Sequence, residues 1–153
     1  MSRSRILVGL IAAMAIALGV ARDFLFSNLN YQLDHLVRHT RHSYAHSQFQ
    51  RAVEGWSAGG LSALKWALAL AFTAAMCTLC VLLARSLEGT YRHARAIMLL
   101  FLATGLLALV LHFTAVQLHS RPVEFVAVKL LHALQYPVPL LFIWVAHRIQ
   151  RVA

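Results

Sequence analysis

The stretch LSALKWALALAFTAAMCTLCVLLA, residues 61–84, decides the fold because it runs for 24 residues without one Asp or Glu. Three further runs share this property, and the four extend over Ile6 to Ala21, Leu61 to Ala84, Ile97 to Val116 and Phe125 to Ala146. Each is close to the roughly 17 to 25 residues that a helix needs to cross a bilayer. The sequence therefore predicts an all-α integral membrane protein, a four-helix bundle formed by a single membrane domain over 1–153.

Composition and charge agree with this class. Hydrophobic residues make up 60% of the chain and charged residues 12%, and the mean hydropathy is +0.67. The net charge of +9 comes from basic residues at the ends of the apolar runs. That pattern is typical of membrane anchoring, whereas a nucleic-acid-binding protein gathers its basic residues into a patch or stripe. We expect membrane lipids as partners and no nucleic acid.

The arginines indicate an orientation, because basic residues concentrate in cytoplasmic segments. With the N-terminus inside, the inner segments hold seven of the twelve arginines, namely Arg3, Arg5, Arg85, Arg92, Arg95, Arg148 and Arg151. The longer outer segments hold the other five, together with four of the five acidic residues. We predict that both the N- and C-termini are cytoplasmic.

The first run also fits a second interpretation. Arg3 and Arg5, followed by an apolar run that ends in Gly19-Val20-Ala21, resemble a cleavable signal peptide. Cleavage would leave three spans. Against it, the run is long for a signal and continues into Phe24-Leu25-Phe26. A face of small residues suited to close helix packing recurs every fourth position, at Gly9, Ala13, Ala17 and Ala21.

Polar residues inside three of the runs predict a site. Lys65, His112, Lys129 and His132 all fall within roughly 6 to 11 Å of the outer boundary at 1.5 Å per residue. Gln135 and Tyr136 extend the stripe on the fourth run. This positive cluster would suit a lipid phosphate, an anionic substrate group or a carboxylate of a partner. The alternative is that the lysines snorkel to the headgroups. No catalytic residue is assigned.

The fourth run contains Tyr136-Pro137-Val138-Pro139. Proline lacks an N–H and clashes with the preceding turn, so a break is expected in mid-membrane, with free carbonyls near His132 and Gln135. Such backbone is tolerated only where protein or a wet cavity satisfies it. The break is thus the best place for a pocket, although proline kinks in membrane helices are often purely structural.

The outer loop, residues 22–60, carries regularly spaced histidines. Leu33, Val37, Thr40 and Tyr44 would face away from them on a helix, which predicts an amphipathic outer-surface helix between spans 1 and 2, capped by Asn28 or Asn30. The histidines would lie within about 60° of one another at 100° per residue, and they are His35, His39, His42 and His46. They could bind Zn or Cu, face solvent or headgroups, or respond to pH.

Two further patterns concern redox chemistry. Cys77 and Cys80 form a C-x-x-C toward the inner end of the second run, where membrane thiol oxidoreductases do not place theirs, so we expect them to pack as small apolar groups. His112 and His132 lie at similar depth and could clamp a b-type haem. No cofactor is expected, and haem or Zn/Cu stay open as alternatives.

A resemblance to a known family rests on several segments, with Leu64-Lys65-Trp66 and Leu134-Gln135-Tyr136-Pro137 among them. The others are Arg22-Asp23-Phe24-Leu25-Phe26, Asn28, Asn30-Tyr31-Gln32-Leu33 and Ser43-Tyr44-Ala45-His46-Ser47. Together they resemble small multi-span bacterial membrane proteins associated with exosortases. The resemblance covers most of the chain and implies an accessory role in sorting exported proteins at the bacterial cytoplasmic (inner) membrane. It transfers no catalytic residue.

The sequence thus favours a non-enzymatic accessory or scaffold subunit that binds a membrane protein partner. Two alternatives stay open: a histidine-based haem or metal-binding redox protein, and a membrane enzyme acting on lipid-linked substrates.

Overall fold

The structure is a computed structural model that describes residues 3–150, with side chains described for residues 5–149. Within that part the chain forms six helices and no strand, which confirms the all-α prediction. The helices are α1 (Arg3–Arg38), α2 (Ser47–Ala52), α3 (Ala58–Glu88), α4 (Ala94–Leu118), α5 (Arg121–Gln135) and α6 (Val138–Gln150).

Three helices, α1, α3 and α4, are each long and apolar enough to cross a membrane. The pair α5 and α6 meets the same test only when taken together, and it is bent by 62° at the intervening break. The described chain therefore has three candidate spans, or four if the bent pair is one span. This confirms the prediction of a membrane protein at that level.

The predicted start of a separate outer-loop helix at Asn28 or Asn30 is wrong, and the separate helix that this loop does contain is the short α2. Residues Asn28 and Asn30 lie inside α1, which continues without interruption to Arg38. At 1.5 Å per residue its 36 residues extend about 54 Å, well beyond a hydrocarbon core of about 30 Å. The sequence predicts a first span that ends at Ala21, but the helix continues through Arg22 and Asp23.

The described residues divide into two compact units. We call Val20–Phe72 the loop unit, and the described residues of Met1–Gly19 with Thr73–Ala153 the span unit. Helices α1 and α3 contribute residues to both. The sequence predicted one membrane domain and no division at these points.

The loop unit is built on an apolar cluster from three helices. The stripe Leu25, Leu29, Leu33 and Leu36 recurs at helical spacing along α1 and packs in this cluster. Phe49 and Val53 come from α2 and its end, and Leu61 from the first turn of α3. Leu29 and Leu61 are fully buried, so a real core lies where the sequence suggested a surface loop.

The span unit has a larger apolar core. Its buried members are Ile11, Ala15, Met76, Leu79, Cys80, Leu83, Ala84, Ile97, Phe101, Leu134 and Leu140. In the part of α1 that belongs to the span unit, the buried positions are Ile11, Ala15 and Gly19. The small residues expected to form a packing face there are exposed, namely Gly9, Ala13 and Ala17. That expectation was wrong by half a helical turn.

Helices α4 and α5 pack against each other. The connection is only His119 and Ser120, and His119 takes a left-handed backbone with φ of 50°. The N–H of Ser120 donates to the carbonyl of Ala115 at 3.0 Å, a bond typical of a helix C-terminus that reverses direction. Small residues are buried on both helices, which permits close approach: Ala108, Ala115 and Ala127.

Candidate functional site

The predicted break in the fourth run is confirmed. Helix α5 ends at Gln135 and α6 begins at Val138. The carbonyl of His132, expected to be free, accepts the N–H of Tyr136 at 3.1 Å. The prolines leave the carbonyls of Ala133 and Gln135 without the usual helical donor, because Pro137 and Pro139 have no N–H.

Polar side chains of the span unit meet at this break. The side chain of Gln135 is fully buried, and its Nε2 donates to Oγ1 of Thr73 on α3 at 3.5 Å. The rings of His132 and Tyr136 lie edge to face with centroids 6.2 Å apart. An amide, a hydroxyl, an imidazole and a phenol are therefore gathered in one place. They can exchange hydrogen bonds with a polar group, and the set contains no carboxylate.

Helix α1 packs against the break between α5 and α6 at Gly19. A Cβ placed on Gly19 would lie 3.6 Å from Cδ of Pro137 and 3.9 Å from Cδ1 of Tyr136. These are ordinary van der Waals separations, so the backbone of α1 packs directly on the proline. Where the sequence suggested a pocket, this side of the break is filled by α1.

The remaining span-unit residues of the predicted cluster are arranged differently. His112 is half-buried on α4 with its ring edge to face with Phe113. Lys129 is exposed on α5, and its ammonium lies 5.2 Å from the ring centroid of Phe125, a cation–π distance. The structure thus brings His132, Gln135 and Tyr136 together with Thr73 and directs Lys129 to the exposed side of α5.

Lys65, the other member of the predicted cluster, belongs to the loop unit. Its Nζ donates to Oδ1 of Asn30 at 2.7 Å, so it links α3 to α1. The sequence predicted that Lys65 is a ligand group or a snorkelling side chain. In the structure it has a hydrogen-bonding partner within the fold.

Asn28 is the second polar link of the loop unit, and its role was not recognised from sequence. It is buried in α1, its Nδ2 donates to the carbonyl of Phe24 at 2.7 Å, and its Oδ1 accepts the backbone N–H of His46 at 2.5 Å. The second bond joins positions 18 apart in the chain. Asn28 thus fastens the segment that leads into α2.

The same segment, residues 39–46, is also held by hydrogen bonds from Gln50, which lies in α2. The side-chain amide of Gln50 donates to the carbonyls of Ser43 at 3.2 Å and Ala45 at 2.5 Å. Oγ of Ser43 accepts the N–H of Ala45 at 3.2 Å. Side chains therefore satisfy several backbone groups of a segment that has no regular secondary structure, which helps to order it.

The four histidines do not share a helical face, so that prediction was wrong. His35 lies in the last turn of α1, His39 has a left-handed backbone with φ of 51°, and His46 caps α2 by accepting the N–H of Gln48 at 3.3 Å. His42 lies in the irregular segment between them. Among the described residues, no group of three or more His, Cys, Asp or Glu is placed to hold a metal ion. The helical spacing on which the Zn or Cu hypothesis rested is not present at these histidines.

The two cysteines of the C-x-x-C are free thiols. Cys80 is fully buried in the apolar core of the span unit, and Cys77 packs against that core. Both take the small apolar packing role expected of them.

Arg22 is a buried cation that sequence analysis counted only as a topological charge. It is 4% exposed, its NH1 lies 3.0 Å from Oδ1 of Asp23, and its guanidinium lies 4.7 Å from the ring centroid of Phe26. The spacing of four between arginine and phenylalanine on a helix is the signal that could have shown this contact.

Comparison with protein families, with functionally described proteins and with solved structures finds no match to this chain. Its function is therefore argued from the residues and contacts described above.

Proposed function

We propose that this chain is a non-enzymatic accessory subunit of the bacterial inner membrane that binds a membrane protein of an exosortase-type protein-sorting system. The loop unit is its contact surface. The sorting assignment rests on the sequence resemblance, and the accessory role rests on how the polar residues are used.

The observation that carries the accessory role is that the polar residues of the loop unit hold its own fold together. Asn28 fastens the segment before α2, Asn30 accepts from Lys65, and Gln50 holds two carbonyls of the irregular segment. Asn28, Asn30 and Lys65 are also among the residues that carry the resemblance. These polar side chains order the surface of the loop unit before a partner binds, which lowers the entropy cost of binding.

The surface so organised has the composition of a protein interface. Tyr44 is 84% exposed, and its ring lies 6.2 Å from that of Tyr31, which is also exposed. Arg41 and Trp56 are exposed in the same unit. Tyrosine, tryptophan and arginine are the residues most enriched among those that dominate binding energy at interfaces.

We also propose that α5 and α6 form one broken span, which makes four spans with both termini cytoplasmic. The 15 residues of α5 rise about 22 Å, and the 13 of α6, inclined at 62°, add about 9 Å along the same direction. The sum matches a hydrocarbon core of about 30 Å. Leu140 of α6 packs with Ile11 and Met76 in the apolar core, which favours a position within the bundle.

Reporter fusions test this topology. Alkaline phosphatase and green fluorescent protein are fused in turn after Gln150 and within residues 39–46. The four-span arrangement predicts fluorescence after Gln150 and phosphatase activity in the loop. Phosphatase activity after Gln150 would show that α5 and α6 re-enter on one side.

Site-specific photo-crosslinking tests the accessory role. A photoreactive phenylalanine analogue replaces Tyr44, and Phe142, which is 72% exposed in an apolar span, serves as the matched control. We expect one discrete adduct from position 44 that contains a multi-span sorting protein, and only lipid adducts from position 142. Absence of a protein adduct from position 44, in cells that contain the sorting system, would contradict the proposal.

An optical spectrum and metal analysis of the purified protein address the redox alternative. The accessory role predicts no Soret band and metal far below one ion per chain. A Soret band, or stoichiometric metal, would replace the accessory role with the histidine-based one.

A further inference from the structure

One face of α4 forms a groove near the N-terminus of that helix, just after the turn that connects α3 to α4. The groove has a volume of about 240 Å³ and is lined by Arg95, Met98, Leu99 and Leu102. These positions are spaced i, i+3, i+4 and i+7, so they follow one another along a single side of the helix. The three apolar side chains are exposed, so the groove is accessible from outside the helix.

The order of residues along the groove gives it a charged end and an apolar end. Arg95 precedes the apolar run that starts at Ile97, so its guanidinium is at the height of the headgroups. Leu102 lies about 10 Å further along the axis at 1.5 Å per residue, among hydrocarbon chains. A molecule that fits this groove has an anionic group at one end and an alkyl chain at the other.

The charges around Arg95 favour an anionic headgroup over a zwitterionic one. Neighbouring charged groups are already engaged: Arg85 bonds to the hydroxyl of Tyr91 and lies over its ring, and His93 Nε2 lies 3.3 Å from a carboxylate oxygen of Glu88. Within residues 5–149, Arg95 has no hydrogen bond or ion pair to another side chain. Its guanidinium, with exposed Arg92 nearby in sequence, is available for a phosphate.

We propose that the α4 groove binds one anionic phospholipid, with its phosphate on the guanidinium of Arg95 and an acyl chain along Met98, Leu99 and Leu102. The groove, with a volume of about 240 Å³, has room for part of one acyl chain. The proposal goes beyond the accessory role and does not depend on it, because it requires only that α4 lies in a membrane.

Native mass spectrometry of the full chain in detergent tests this site. The protein is titrated with phosphatidylglycerol and with phosphatidylcholine of identical acyl chains. We expect phosphatidylglycerol to bind about fivefold more tightly, the size of effect expected from one basic residue at an anionic membrane surface. Arg95→Gln should remove that preference, and it should weaken phosphatidylcholine binding less than phosphatidylglycerol binding because only the latter lipid carries a net negative charge.

Matched variants distinguish lipid binding in the α4 groove from general electrostatic attraction between the protein and anionic lipids. Arg121→Gln removes an exposed cation beside the opposite end of α4, and it should leave the preference intact. Leu102→Trp fills the groove and should lower binding of both lipids, whereas Val110→Trp, exposed on α4 but outside the groove, should lower neither. Glycerol phosphate, which lacks acyl chains, should not compete at lipid concentrations.

Three results would each overturn the proposal. They are equal binding of the two lipids to the wild-type chain, an equal loss of preference in Arg121→Gln and Arg95→Gln, and unchanged lipid binding in Leu102→Trp. Circular dichroism of each variant establishes that it is folded, and the substituted side chains are all exposed, so their replacement leaves the apolar core untouched.

Discussion

The loop unit and the span unit are stabilised by different chemistry. In the loop unit a small core around Leu29 and Leu61 is accompanied by side-chain hydrogen bonds between distant positions, such as Asn28 to His46 and Lys65 to Asn30. The span unit has a larger core of aliphatic and small residues, together with a side-chain hydrogen bond between helices from Gln135 to Thr73. The irregular segment therefore needs specific polar bonds to become ordered, whereas regular helices satisfy their own backbone hydrogen bonds and are held together by packing.

The largest expected effect is in the core of the loop unit. Leu29→Ala removes a fully buried side chain and should lower the free energy of unfolding by about 3 kcal/mol. Leu70→Ala, in the same unit but 72% exposed, should change it by less than about 0.5 kcal/mol. Tryptophan fluorescence from Trp56 and Trp66 during denaturation in detergent measures both. Equal effects would mean that the loop unit has no core of its own.

Asn28→Ala tests the contribution of side-chain hydrogen bonds to the loop unit. It leaves the N–H of His46 without its acceptor, which should cost about 2 kcal/mol. Cleavage of residues 39–46 by added protease should accelerate accordingly. Ser27→Ala, exposed on the same helix, is the control and should leave the rate unchanged. If both variants are cleaved at the wild-type rate, Asn28 does not order this segment.

Gly19 tests close packing in the span unit. Gly19→Ala places a methyl group at an ordinary contact distance from Pro137 and adds helix propensity, so stability should stay within about 1 kcal/mol of wild type. Gly19→Leu overfills the contact and should cost about 1 to 3 kcal/mol. Thermal unfolding in detergent measures the two variants. A tolerated leucine would show that α1 does not pack on the proline break.

The smallest effects concern the two left-handed histidines, one in each unit. His39→Gly and His119→Gly relieve an unfavourable φ of about 50° and should each raise stability by about 0.5 to 1 kcal/mol. Gly89→Ala, at φ of 75°, should lower it by a similar amount. Melting temperatures of the three variants provide the test, and destabilisation by both glycine substitutions would contradict the assigned backbone.

The sequence was sufficient for features that depend on local properties. The apolar runs predicted the spans because hydropathy is summed over neighbouring residues, and the break at Pro137 followed from a missing N–H. Features that depend on distant partners were missed. The hydrogen bonds that join Asn28 to His46 and Lys65 to Asn30 connect positions 18 and 35 apart in the chain, and no local pattern indicated them.

The candidate site shows the same limit. His132, Gln135 and Tyr136 were grouped correctly because they are close in the chain. Lys129, three residues from His132, was grouped with them by depth, but depth does not specify the side of the helix to which a side chain turns. The prediction of a histidine face was wrong because it assumed a helix through His39. That residue has a left-handed backbone and follows the end of α1.

One measurement tests most directly whether the loop surface, and not the histidine and lysine side chains, carries the function. Export and anchoring of a sorted protein are quantified in cells whose own copy is replaced by variants expressed at equal level in the membrane. The double variant Tyr31→Ala and Tyr44→Ala should lose most sorting, while the triple variant His112→Gln, Lys129→Gln and His132→Gln should retain it. The reverse result, with both variants folded, would contradict the accessory role and favour an enzyme on lipid-linked substrates.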